Sequence, residues 1–356
     1  MTIDSEGLAA FGWSRHFLSE LTPAEMTDAL PVRVLAVHRN GLDVAGPGLA
    51  LRIPPLAGEE DEAAATVGDW VLLSAADRRP LRILPRKSLF RRKAAGTAHR
   101  VQPDAANVDT LFLVTSCNQD FNVARLERYL ALAREAGVMP VVVLTKADLA
   151  DDPEPYLDAA RRLMPGLVVE ALDARGGEVG RAVGGWCGRG ATVALVGSSG
   201  VGKSTLVNAL SDGSAQETAP IREDDAHGRH TTTGRSMHRL AGGGWLIDTP
   251  GMRELRIADA AEGVEAVFAD IVALAAGCRF ADCRHEGEPG CVVETAIAAG
   301  TLDPRRLARF RKLAAEEARN SEALHERRAR ERGFGRMVRQ VGAAKRAVED
   351  GALGLA

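Results

Sequence analysis

The stretch from Thr192 to Leu210 constrains the fold more than any other part of this sequence. Its apolar run TVALV leads straight into Gly197-Ser198-Ser199-Gly200-Val201-Gly202-Lys203-Ser204, which fits G-x-x-x-x-G-K-[ST], and the helix-forming STLVNAL follows with Thr205 in its first turn. Such a loop works only between a strand and a helix. The glycines let backbone NH groups turn inward around a phosphate, and the helix N-terminus adds partial positive charge. Lys203 can reach the β and γ phosphates and Ser204 can ligate Mg²⁺. An α/β domain is therefore required, and from Val108 the sequence supplies one. The runs LFLVT, VVVLT, LVVEAL and TVALVG alternate with helical periods over Val123–Ala136, near Pro155–Leu163 and from Lys203, the pattern of a largely parallel sheet.

A phosphate loop says nothing about the base. Thr145-Lys146-Ala147-Asp148, at the end of VVVLT, can supply that choice. A carboxylate at Asp148 can accept from the ring NH and the exocyclic amine of guanine, adenine offers no matching donor pair, and Lys146 can lie along the base plane. Alone the pattern is weak, because an exposed Lys-Asp turn after a strand is common. Asp248-Thr249-Pro250-Gly251 after the strand WLI strengthens it. Asp248 is placed to help hold Mg²⁺ and the Gly251 NH to sense a γ-phosphate, so the three motifs together read as GTP binding and hydrolysis. Lys203 would stabilise the transferring charge. Many GTPases carry a water-orienting glutamine after the D-x-x-G motif, but Met252 stands there and a thioether cannot orient water. His230, in Gly228-Arg229-His230-Thr231-Thr232-Thr233, is the candidate catalytic replacement, and one of the three threonines would complete the Mg²⁺ shell. The motif order is permuted: Asp148 precedes Lys203 by 55 residues.

Upstream, VRVLAV, LDVAG, LALRI, DWVLLS and LRIL between Val32 and Leu84 read as short strands, with Asn40-Gly41 a hairpin turn. Five short strands predict a small barrel of OB type. Downstream, strand signals fade after Ile257. Three of the five cysteines fall within fourteen residues, Cys278, Cys283 and Cys291, and with His285 they offer a complete Cys₃His set. One buried cysteine would be unremarkable; four potential ligands at this spacing predict a structural Zn²⁺ site with no open position for catalysis.

Net charge is −3, yet the charge is segregated. Arg78 to Arg100 holds nine Lys/Arg and no acid, and Arg305 to Arg346 holds fourteen Lys/Arg against five Asp/Glu. Two readings stand side by side: solvated faces of amphipathic helices, with Leu302, Leu307, Phe310 and Leu313 turned inward, or surfaces that track nucleic-acid phosphates. No stretch approaches a membrane span and the N-terminus lacks a signal-peptide pattern, so a cytoplasmic protein is expected.

The permuted order, the Gly228–Thr233 segment, the barrel, the Arg/Lys stretch leading to Ala105-Ala106-Asn107-Val108-Asp109 and the cysteine cluster together resemble the ribosome small-subunit-dependent GTPase A family. The resemblance covers most of the chain. It implies an extension over 1–30, an OB-like barrel over 31–100, a permuted GTPase domain over 101–258 and a zinc-binding, basic helical domain over 259–356. It implies GTP contacts at Thr145 to Asp148 and at Gly197 to Thr205, and Mg²⁺ with GTP. The partners would be GTP/GDP and the small ribosomal subunit with its rRNA, with no membrane, the chain acting as a monomer late in subunit maturation. Two positions depart from the family pattern: Thr145 where Asn is frequent, and Glu170-Ala171 where Ser-Ala is frequent. The competing expectations are a metabolic ATPase, disfavoured by Asp148, and a non-catalytic, nucleotide-regulated RNA-binding protein, which Met252 keeps open.

Overall fold

The computed structural model describes residues 4–56, 63–93, 101–211, 235–249 and 260–321. Three short helices, α1 (Ser5–Ala9), α2 (Arg15–Ser19) and α3 (Glu25–Asp28), precede β1 (Ala29–His38), β2 (Gly41–Gly46), β3 (Leu49–Ile53), β4 (Trp70–Ser74) and β5 (Pro80–Ile83). These five strands pair antiparallel in the order β3-β2-β1-β4-β5. Two-residue alternation gives β4 two buried faces. Val71 and Leu73 join Val32, Val34, Leu42, Val44 and Ile53 inside the curled sheet. Trp70 and Leu72 turn the other way, onto Leu8, Trp13, Phe17 and Leu21. The weakly patterned N-terminus is thus a lid on the sheet, with the Trp13 ring 4.8 Å from that of Trp70, edge to face.

The hairpin β6 (Leu89–Lys93) and β7 (Val101–Ala106) follows. The basic run gave no strand signal there, because its alternation is masked by Arg91-Arg92-Lys93. Then come β8 (Thr110–Ser116), α4 (Val123–Glu135), β9 (Met139–Thr145), α5 (Glu154–Arg161), β10 (Val168–Ala171), α6 (Val179–Ala182), β11 (Thr192–Val196), α7 (Lys203–Ser211), β12 (Arg235–Arg239) and β13 (Trp245–Asp248). Strands β10-β9-β8-β11-β13 are parallel in that spatial order, and β12 closes the set antiparallel. Leu111 and Leu113 of β8 face α4 and α5, whereas Phe112 and Val114 face α6 and α7. Both faces are covered, so these strands are apolar throughout.

From β8 the chain winds outward through β9 to β10, then returns to β11 and winds the other way. The reversal lies between β8 and β11, and such a switch point opens a crevice at the carboxyl ends of the strands where ligands bind. The sheet does not stop at β12. Ala36 and Val37 of β1 pair with Ser236 and Arg235 of β12, so the five N-terminal strands and the parallel strands form one continuous sheet.

Helices α8 (Ala261–Val267), α9 (Ala269–Ala275) and α10 (Val292–Ala298) and a helix over 304–321 complete the described chain. They share one apolar cluster with the outer face of the parallel sheet, in which Val264, Phe268, Ile271, Leu307 and Leu313 meet Leu126 and Leu130 of α4. Among the described residues, no helix is long and apolar enough to cross a membrane.

Candidate functional site

The phosphate-type loop leaves β11 at the switch point. Gly197 stands where a Cβ would lie 2.2 Å from the Val114 carbonyl of β8, so no other residue fits against that strand end. Gly200 and Gly202 have φ of +79° and +91°, the left-handed region that favours glycine. With them the loop turns tightly enough to present its NH groups ahead of α7. Lys203 opens α7 and folds back over the loop, its Nζ donating to the Gly197 carbonyl at 2.9 Å and the Ser198 carbonyl at 2.5 Å. Lys203 and Ser204 line one cleft with Asp248 and Thr249, which leave the end of β13. The end of this loop and the end of β13 therefore meet at one cleft.

Thr145 ends β9 and is fully buried. Its hydroxyl contacts the Thr115 carbonyl at 3.1 Å and, across the crevice, the Val201 carbonyl of the phosphate loop at 2.5 Å. Thr145 thus makes a polar link between the Thr145–Asp148 turn and the Gly197–Lys203 loop. Lys146 adopts φ of +57°, and the chain turns into a short 3-10 segment, Ala147–Leu149, that leaves Asp148 exposed. Glu170 and Ala171 lie in β10, paired with Val143 and Leu144, so the loop at that level begins at Leu172, whose carbonyl accepts from Ala147 N at 3.4 Å. Thr145→Val preserves shape but removes the donor. Because a buried group left without its partner costs about 1–3 kcal/mol, we expect GDP affinity to fall about tenfold, read by fluorescent-nucleotide titration; unchanged affinity would show that the link is not used.

One contact at the loop had no sequence signal. Asn122 caps α4 by accepting from Arg125 N, which fixes the first turn, and the Arg125 guanidinium then donates to the Ser198 hydroxyl. His230, Thr231 to Thr233, Gly251 and Met252 lie outside the described residues.

Cys278, Cys283, His285 and Cys291 come together with all ligand atoms within 4.8 Å of one another. Cys291 Sγ lies 3.4 Å and Cys278 Sγ 3.6 Å from His285 Nδ1, and the two sulfurs are 4.0 Å apart. A tetrahedral ion with bonds near 2.3 Å has edges of about 3.8 Å, so the set fits a metal ion. His285 at φ of +61° and Gly290 at +79° turn the chain around it. Arg311, from the helix over 304–321, donates to the carbonyls of Arg284 and His285 and ties the knuckle to that helix.

The same helix is bolted to α4. Glu127 is almost fully buried, with Arg309 Nε at 2.7 Å and Arg306 NH1 at 3.4 Å. Burial pushes the Glu127 carboxyl above its ordinary range, and Arg309 opposes the shift. Arg306 also forks onto Asp270, and Arg128 of α4 onto Glu316. Leu302, Leu307 and Leu313 turn inward and Phe310 is half-buried, as the amphipathic reading expected. Part of the basic segment is therefore internal. Arg82, Arg86 and Lys87 of the upstream run are likewise paired, with Glu25, Asp69 and Asp109.

A sequence profile of the RsgA GTPase family matches residues 83–258. A protein of Mesorhizobium japonicum described as small ribosomal subunit biogenesis GTPase RsgA is 51% identical over 327 residues, 90% of this chain and 93% of its own. The crystal structure of YjeQ from Thermotoga maritima has a TM-score of 0.60 at 24% identity, covering 81% of this chain and 98% of that one. That of YloQ, described as a circularly permuted GTPase, has a TM-score of 0.56 at 20% identity, covering 80% and 94%. The two crystal structures bear on the fold alone. With half its residues identical to the Mesorhizobium protein along nearly all of both chains, this chain belongs to the RsgA GTPase family.

Proposed function

We propose that this protein binds GTP at the β8/β11 switch point, hydrolyses it and couples hydrolysis to a late step in maturation of the small ribosomal subunit, in the cytoplasm and as a monomer. The observation that supports the reading most is that Lys203 and Ser204 share one cleft with Asp248, while Thr145, at the head of Thr145–Asp148, touches the loop at the Val201 carbonyl. The printed name of the Mesorhizobium relative supplies the subunit.

In this reading Asp148 selects guanine, Gly197 to Thr205 hold the phosphates, and Lys203 stabilises the transferring charge. Ser204 and Asp248, lining one cleft, would hold Mg²⁺, which offsets charge on the phosphate oxygens when bound. Gly251 and His230 keep the roles expected of them, γ-phosphate sensor and water-orienting group. The Cys₃His set would hold one structural Zn²⁺. The chain would work as an extension (1–30), a barrel (31–100), a permuted GTPase domain (101–258) and a zinc-binding helical domain (259–356). The exposed cations of its basic segments, such as Arg305, Lys312 and Arg319, would meet rRNA phosphates.

Turnover of GTP and ATP with and without purified small subunits tests the whole reading. GTP hydrolysis should be slow alone and rise at least about tenfold with subunits, about 1.4 kcal/mol off the barrier, then fall back as salt weakens phosphate contacts. Competition by ATP would return the metabolic ATPase. Tight GTP binding with no turnover at saturating subunits would return the regulated RNA binder.

A further inference from the structure

Asp104 lies on β7, in the hairpin between the barrel strands and the parallel sheet, and its side chain is fully buried. Its carboxylate accepts from the Thr249 hydroxyl at 2.7 Å and stands 3.2 Å from Arg235 Nε. Thr249 follows Asp248 directly at the end of β13, and Arg235 opens β12. One carboxylate from outside the parallel sheet thus holds both the entry and the exit of the β12–β13 hairpin.

The other side of this contact is cross-tied by further hydrogen bonds. The Thr66 hydroxyl contacts the Asp104 carbonyl at 3.1 Å, and Thr66 N donates to Asp69 Oδ2 at 2.7 Å. Arg86 forks onto Asp69 at 2.7 and 2.8 Å. A second connection runs alongside, since β1 pairs with β12 at Val37 and Arg235. Arg33, also buried, donates to the Gly68 and Asn107 carbonyls and closes the joint from the β1 side. Thr66, Asp69, Asp104 and Asn107 form a polar layer under the open end of this hairpin, the end that carries Asp248. A fully hydrogen-bonded polar layer holds its members in one arrangement, because each partner lost would leave a buried polar group unpaired.

We propose that Asp104 is a positioning residue for GTP hydrolysis, setting where the Asp248–Thr249 segment stands and making the barrel answer to the state of the phosphate end. The inference rests on the GTPase reading above and names the contact that carries its coupling. A γ-phosphate acts on the segment after β13. A buried O–H···O bond of 2.7 Å is either made or lost when that segment shifts by a fraction of a turn, so the contact works as a two-position latch. The phosphate loop and the Thr145–Asp148 turn are held by other contacts, and GDP affinity does not depend on the latch.

The test compares wild type with Asp104→Ala and Asp104→Asn in the full chain. Three quantities are read: GDP affinity, kcat and KM for GTP on small subunits, and amide hydrogen exchange at residues 66–69 and 101–107 with GDP against a non-hydrolysable GTP analogue. In wild type, exchange at 66–69 should differ between the two nucleotides. In Asp104→Ala, GDP affinity should stay within about twofold, kcat should fall at least about tenfold with KM for GTP little changed, and the exchange difference should vanish. Asp104→Asn keeps an acceptor for Thr249 and loses the charge facing Arg235, so its kcat should fall between the two. If the alanine chain does not fold, the near-isosteric asparagine chain decides by the same readings. Variants within twofold of wild type in kcat, or a wild type whose exchange at 66–69 ignores the nucleotide, overturn the assignment while leaving the GTPase reading intact. A wild type that neither binds nor hydrolyses GTP overturns the GTPase reading itself.

Discussion

Lys203→Ala is expected to slow GTP hydrolysis on small subunits by at least about a hundredfold. In the structure its ammonium rests on the Gly197 and Ser198 carbonyls, which places the charge inside the curve of the loop, where phosphates would replace the carbonyls as partners. A preorganised donor aimed at developing charge is typically worth about 10² to 10³ in kcat. Hydrolysis concentrates charge at the transferring group, so the loss should fall on kcat more than on GDP binding. Lys203→Arg should not rescue. A planar, longer guanidinium cannot occupy a point between two carbonyls of one tight turn. Single-turnover hydrolysis with titrated nucleotide checks both statements, and a variant retaining more than a tenth of the wild-type rate would remove Lys203 from the chemistry.

The second large effect is expected from metal removal. Cys283→Ala, or exhaustive chelation, should release one zinc per chain, measured by elemental analysis. Structural zinc contributes about 10–16 kcal/mol in isolated fingers. The damage should not stay local. Arg311 ties the knuckle to the helix over 304–321, and that helix covers Glu127 and the apolar face of α4. Loosening it would part Glu127 from Arg306 and Arg309 and would uncover part of the cluster beneath the parallel sheet, so apolar surface now buried would meet water. We therefore expect the thermal midpoint of nucleotide binding itself to drop by about 10 °C or more, given about 2–4 °C per kcal/mol for units of this size. A metal-free chain that binds GDP with an unchanged midpoint would show that the helical region folds apart from the sheet.

The candidate nucleotide site was legible because each of its proposed motifs sits at the end of an apolar strand. TVALV, VVVLT and WLI announce β11, β9 and β13, and the loops after them carry the chemistry wherever they fall along the chain. The metal set was legible for a similar reason, since Cys278 to Cys291 is a local cluster. What sequence could not show was contact between distant segments of ordinary composition. Asp104 sits in VQPDAAN, which has no alternation to mark it as a strand and no feature that points to Thr249. Glu127 reads as a surface residue of an amphipathic helix until Arg306 and Arg309 are placed over it. Counting charge overstated the free cations for the same reason, because Arg82, Arg86 and Arg306 spend their charge on carboxylates within the fold. The N-terminal lid was hidden too: Trp13 and Phe17 gain meaning only opposite Trp70.

The pairing of β1 with β12 sets a timetable for synthesis. Val37 and its partner Arg235 are separated by roughly two hundred residues, which at about 5–20 residues per second is about ten to forty seconds of translation. During that interval the edge of Ala36–Val37 opposite β2 lacks its partner, and an open edge is a template for wrong pairing with other chains. The permuted order lengthens the wait, since β8 to β10 must be made before β11 and β12 can appear. A ribosome releasing this chain at the end of the barrel would free a sheet with one raw side. We expect fragments ending before β12 to collect in the insoluble fraction, and stalled chains to be held by chaperones until the missing strand emerges.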